Sequence, residues 1–190
     1  VAVPEHARPA PVSDGDEVLV ARILANDGRA FDQLYLRHAH YVAGTLHKLL
    51  GSDLELDDFV QDTFLIALDR LGDLRDPRQV RSWLTTIAVR LARKRLATRA
   101  RRRRFRQQVA RASPAVSDPR DRAPADELYE ALDQLPAKLR IPWVLARVAG
   151  ESLGDTAACC EVSLATVKRR IAAAQDRLDD ILAADPGGVR

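Results

Sequence analysis

Cysteine is nearly absent from this 190-residue chain, and the two that occur, Cys159 and Cys160, are adjacent. Neighbouring cysteines rarely close a structural disulfide and no distant third exists, so a reducing compartment is expected. The four histidines, His6, His38, His40 and His47, have no cysteine companions, and His38 and His40 stand two apart, which does not place them on one helix face. No metal-ligand spacing results. No run of about 18 apolar residues occurs, so no membrane span is expected. Val1 to Ser13 lacks the apolar core of a secretory signal, and the expected location is the cytoplasm. There is no Ser/His/Asp arrangement and no phosphate-cradling glycine loop. Neither an enzyme nor a bound cofactor or metal is expected.

Aromatic residues make up only 5% of the chain, while Ala, Leu and Arg are abundant. That balance favours helices, since these three lose little on entering one. The formal net charge is +3, but it is unevenly spread. Ten cationic side chains and no acid lie between Arg90 and Arg106, whereas Asp53 to Asp62 is acidic. Two surfaces for two partners follow, one partner polyanionic and the other basic or apolar.

Read along the chain, residues 1–14 form a Pro-rich, disordered tail. Asp16 to Ala25 suits a short helix. Phe31, Leu34, Tyr35, His38, Val42, Leu46, Leu49 and Leu50 recur at helical spacing up to Gly51. The next helix runs from about Glu55 to Leu71, with Leu56, Phe59, Val60, Thr63, Phe64, Ala67 and Leu68 inward and Asp58, Gln61, Asp62 and Leu65 outward. Asp76 caps a further helix with Pro77 in its first turn. Its apolar stripe is Val80, Trp83, Leu84, Ile87, Ala88 and Leu91, and its C-terminal half is the arginine run. Residues 107–125, with Pro114, Pro119 and Pro124, read as a flexible linker. It separates a first domain, 15–106, from a second, 126–184, ahead of a tail at 185–190. In the second, a helix up to Pro136 precedes one over Ala137 to Ala149. Ser152, with Asp155 three residues on, caps a short helix, and Ser163 caps a last one running to about Leu182. No strand pattern stands out. The fold class is all-α, with two small helical domains.

Ser152 to Leu178 has the form of a helix-turn-helix. Ala157 and Ala158 are small enough for close helix approach. Ser163, Thr166, Lys168, Arg169 and Arg170 stand near the N-terminal end of the second helix, where side chains reach base edges and phosphates. Glu161 occupies the turn position where glycine would ease a left-handed backbone. By spacing alone, a helical hairpin with a solvated basic face remains open.

The motif Ala131-Leu-Asp-Gln-Leu-Pro136, followed by Arg140, Val148-Ala-Gly150, Thr156-Ala157 and Ser163-Leu-Ala-Thr-Val-Lys168, resembles the fourth domain of extracytoplasmic-function sigma factors. Phe31-Asp-Gln-Leu-Tyr35, Asp57-Asp-Phe-Val-Gln-Asp-Thr-Phe64 and Trp83-Leu84 with Ile87-Ala88 resemble their second domain. The resemblance spans roughly Asp16 to Leu182. It implies a factor that binds core RNA polymerase and directs promoter-specific initiation. Asp58, Gln61, Asp62 and Leu65 would dock on the clamp helices of the largest subunit, with a second contact to the flap of the second-largest. Trp83, Arg90, Arg93, Lys94 and Arg95 would serve minus-ten DNA, although Trp83 also has the register of a core residue. Ser163, Thr166, Lys168, Arg169 and Arg170 would serve the minus-thirty-five element. An anti-sigma regulator is implied as well. Some positions depart from the pattern. Arg90 stands where relatives have Asn, Lys94 where they often have Asp, Ala173 and Gln175 where they often have Arg. Pro142 falls inside a helix, where it should kink or restart the chain. A stand-alone helix-turn-helix regulator, which would work as a dimer, and a sigma-like decoy binding an anti-sigma factor are the competing readings.

Overall fold

The computed structural model describes residues 15–51, 55–110 and 124–184, the last four of the second stretch and the first four of the third as backbone. The expected terminal tails and the interior of the expected linker lie outside these residues. All regular elements among the described residues are helical.

Helix α1 (Asp16–Leu24) carries Asp16 and Glu17 in its first turn and Arg22 in its last, the polarity the macrodipole favours. Asn26, at φ 65°, turns the chain. Asp27 then caps α2 (Gly28–Leu50) by accepting from Arg29 N at 3.0 Å, while its other oxygen takes Arg22 Nη2 at 2.8 Å. Helix α3 (Leu56–Asp69) gives way to a 3-10 turn at Leu71–Asp73. Asp76 Oδ1 accepts from Arg78 N at 3.0 Å, opening a second 3-10 turn that feeds α4 (Val80–Ala110). Leu34, Val42, Leu46, Val60, Phe64, Leu84 and Ala88 are buried where α2, α3 and α4 meet.

Several expectations need correction. Leu68 is 43% exposed rather than inward. Val60, Thr63, Phe64 and Ala67 fill the seam of α3, and the residue after Ala67 lies 100° round the helix, outside it. Ala158 is likewise exposed, one step beyond buried Ala157. Helix α4 does not stop at Arg106 but continues to Ala110, since Arg, Gln and Ala all favour a helix.

The second group of helices is α5 (Pro124–Gln134), α6 (Ala137–Arg147), α7 (Leu153–Cys160) and α8 (Leu164–Ala184). Pro142 neither breaks nor restarts α6, which runs through it with the proline buried. The first turn of α6 is closed by Pro136 O, which accepts from Leu139 N at 2.8 Å and Arg140 N at 3.1 Å. The missing proline N–H therefore costs one bond in an otherwise anchored helix. Val167, Ile171, Ala174 and Leu178 of α8 are buried, and α8 packs on α6 and α7.

The two groups are not apart. Helix α7 lies against α4, and α6 against both α2 and α4. Gly51 makes one close approach possible. At φ +72° it ends α2, and a Cβ there would come within 3.1 Å of the Tyr129 ring.

Candidate nucleic-acid and protein interfaces

The outer face of α3 is the simplest surface. Asp57, Asp58, Gln61 and Asp62 are exposed, and Leu65 is 55% exposed. Asp57 and Asp58 sit in the first turn, where the positive end of the helix dipole favours them. Phe64 faces the other way and is buried, with Tyr35 at 4.7 Å and Phe31 at 6.5 Å between ring centroids. An aromatic cluster thus fixes α3 from beneath while acids and one leucine face outward. Leu36, which the apolar stripe leaves out, and Leu68, which it had placed inward, are also exposed.

Helix α4 presents a different picture. Trp83 is half-buried and packs against the core. Lys94 is exposed. Arg95 faces its own domain, with Nη1 at 3.1 Å from Glu55 Oε2 and its guanidinium 5.9 Å from the Phe59 ring centroid. Arg90 and Arg93 reach the helix-turn-helix. Arg90 Nε donates to Glu161 Oε2 at 3.2 Å and Arg90 Nη2 to Glu161 Oε1 at 2.5 Å. Arg93 Nη2 donates to Cys160 O at 3.3 Å. The hydrogen bond from Arg90 holds the Glu161 carboxyl below its ordinary range, and the same bond raises Arg90. Further along α4, Arg99 Nη1 donates to Leu50 O at 2.6 Å. Thr98, Arg101, Arg102, Phe105 and Arg106 line an open groove, and Phe105 is 68% exposed. The arginine run is therefore helical as far as it is described.

The helix-turn-helix is built as its caps require. Ser152 Oγ accepts from Asp155 N at 3.0 Å, and Ser163 Oγ accepts from Thr166 N at 3.2 Å. Glu161 adopts φ 57° and ψ 44°, the left-handed conformation that the turn demands. Ser163, Lys168 and Arg169 are exposed, with Thr166 and Arg170 half-buried beside them. Leu164, 44% exposed on the same end, is a further apolar group that the sequence reading did not single out. Gln175, which replaces an arginine of the expected pattern, accepts from Trp143 Nε1 at 2.9 Å and so ties α8 to α6.

Two buried groups stand out beneath this unit. Arg140 is 1% exposed, bonds to Asp133, and leaves Nε and Nη2 without a partner. Burial pushes its pKa down, Asp133 opposes, and the like charge of Arg99 adds to the fall. Cys159 and Cys160 are buried at the contact with α4, Cys159 Sγ lying 3.8 Å from Ser82 O. Burial raises both thiols, Cys160 to about 11. No group of three or more His, Cys, Asp or Glu suited to a metal occurs among the described residues.

The surfaces coincide with recognised sequence families. Residues 34–102 match Sigma-70 region 2, and residues 125–178 match Sigma-70, region 4. The chain is 29% identical over 180 residues to the RNA polymerase sigma-H factor of Pseudomonas aeruginosa, covering 88% of this chain and 93% of that protein. It is 28% identical over 180 residues to the ECF RNA polymerase sigma-E factor of Escherichia coli K12, covering 87% and 93%. Among solved structures, CnrH in complex with the cytosolic domain of CnrY aligns with a TM-score of 0.64 and 31% identity, over 90% of this chain and 99% of that one. The fold is also that of RpoE from Bartonella quintana, at a TM-score of 0.56 and 24% identity, over 82% and 98%.

Proposed function

The chain belongs to the extracytoplasmic-function (ECF) group of sigma-70 RNA polymerase sigma factors, and from that premise we propose how its own residues divide the work. It binds core RNA polymerase and directs promoter-specific initiation of transcription. In our reading it does so without catalysis, as a specificity subunit acting in the cytoplasm.

Asp58, Gln61, Asp62 and Leu65 dock on the clamp helices of the largest polymerase subunit. The fourth domain makes a second contact, with the flap of the second-largest subunit. Two tethered contacts raise the effective concentration of each domain at its promoter element. The first domain ends with α4 and the second begins with α5.

The second domain reads duplex DNA at the minus-thirty-five element. Its N-terminal α8 residues Ser163, Thr166, Lys168, Arg169 and Arg170 offer hydroxyls and cations to bases and phosphates. The first domain handles the melted minus-ten strand through Arg90, Arg93 and Lys94, with Arg95 bracing α4. Trp83 supports the site from the core side. Arg90 brings a cation where an amide is usual in relatives, so minus-ten selectivity differs from theirs and leans on phosphate contact. An anti-sigma factor regulates the protein, by analogy with CnrH, whose complex is with the cytosolic domain of CnrY.

The observation that carries this assignment is the exposure of the α3 acids over a buried Phe64. The side chains unneeded for the core are the ones a basic partner would meet. The test is transcription in vitro with sigma-free core polymerase and a genomic DNA library. Discrete starts sharing two spaced upstream motifs are expected. Polymerase binding without starts would favour a decoy role, and no polymerase binding would favour a stand-alone regulator.

A further inference from the structure

Two residues that looked anomalous in the sequence are partners in the fold. Arg90 stands on α4 and Glu161 in the turn of the helix-turn-helix, 71 residues away, and the two form a paired ion contact at 3.2 and 2.5 Å. Glu161 sits at the left-handed position of the turn, which a side chain tolerates less well than glycine. We propose that Arg90–Glu161 is an intramolecular latch that holds the second domain over the promoter face of α4, so that the protein by itself is closed to DNA. The proposal rests on the assignment of α4 and α8 to promoter elements.

The surroundings support it. Helix α7 lies along α4, Arg93 donates to Cys160 O, and Tyr41 of α2 bonds to Glu151 just before α7. Two of the cations that would hold a DNA strand, Arg90 and Arg93, are thus occupied by the chain's own acceptors. The cleft at this seam is lined by Arg93, Lys138 and Arg170 together with Glu161, its single carboxylate. A polyanion entering there meets cations whose only acidic competitor is Glu161, and it exchanges phosphate for carboxylate. The closed form is also poised to open. Both latch side chains are about half exposed, at 45% and 46%, so their bond is weak by itself. Close by, α6 reaches α2 and α4 with Arg140 buried, two of its donors unpaired, and Arg99 acting on it as a like charge. Buried donors without partners favour any state that hydrates them.

Cys159 and Cys160 are the chain's only cysteines, and both are buried at this contact. Their rate of labelling by a thiol reagent therefore reads opening directly, in the full chain and without DNA. The native protein should label slowly. E161Q should label about threefold faster, as loss of a weak exposed ion pair implies. E161G should do the same while relieving the left-handed strain, so it does not depend on a marginal fold. E161R, which faces Arg90 and Arg93 with a like charge, should label about tenfold faster. The exchanged pair R90E with E161R should return to within about twofold of native. Equal rates in native, E161Q, E161G and E161R, or an exchanged pair as fast as E161R, would overturn the latch. Core polymerase added to the native protein separates the two proposals. If it binds without Glu161 affecting labelling, the latch is wrong and the polymerase assignment stands. If the Glu161 variants open but polymerase does not bind, the latch stands and the polymerase assignment is wrong.

Discussion

Helices α3 and α4 lie side by side, carry opposite charge and differ in one more respect. Among the described residues the acidic face of α3 is exposed, whereas Arg90 and Arg93 on the cationic face of α4 reach the turn after α7. One surface is open, while part of the other, at Arg90 and Arg93, is already in contact with the second domain. The difference implies an order of events in which polymerase can be met at once, but promoter DNA only after the second domain moves.

The comparison can be broken most severely from beneath. F64A removes the ring that Phe31 and Tyr35 hold under α3 and should cost about 3–5 kcal/mol of stability, measured by urea unfolding. The neighbouring L65A should leave unfolding unchanged. A sharper version keeps the fold and inverts only the charge of α3. D58R with D62R should lower affinity for core polymerase by more than about a hundredfold, at unchanged helicity. A gel-shift of native against variant checks it, and equal affinity would remove α3 from the docking surface.

A smaller effect comes from the cover on α4. S152A deletes the cap of α7 and should cost about 1 kcal/mol, read as a lower unfolding midpoint. Thiol labelling should rise with it, while the α3 surface keeps its polymerase affinity. Smallest is a pH effect in the tie between α1 and α2. Burial pushes the Asp16 carboxyl up, but bonds from Arg37 and His38 outweigh it and leave the group below its usual 3.8. A depressed carboxylate stabilises the fold above its unfolded pKa, and that contribution is lost as pH falls through the folded value. The stability gap between native protein and D16N should therefore be full above about pH 5 and shrink as pH falls below about 4. A gap that does not change with pH would contradict the sign.

Much of this could be read from the chain, because helices announce themselves locally. The period of Leu34, His38, Val42 and Leu46, the caps Asp76, Ser152 and Ser163, and the left-handed demand on Glu161 all depend on near neighbours. What escaped notice depends on residues far apart. Nothing in spacing joins Arg90 to Glu161, or reveals that Gln175 is needed by Trp143, since periodicity describes a helix and not its neighbour. The outward turn of Leu68 escaped for a related reason. A leucine beside an apolar stripe looks like core until the partner helix is placed.

The continuation of α4 to Ala110 has a metric consequence. With α5 beginning at Pro124, only 13 residues, 111–123, join the two helical units. By covalent geometry they span at most about 45 Å, whatever path they take. That length is little more than one turn of duplex, roughly 34–36 Å. The chain therefore carries its own ruler: however the two helical units move, bond lengths cap the distance between the end of α4 and the start of α5.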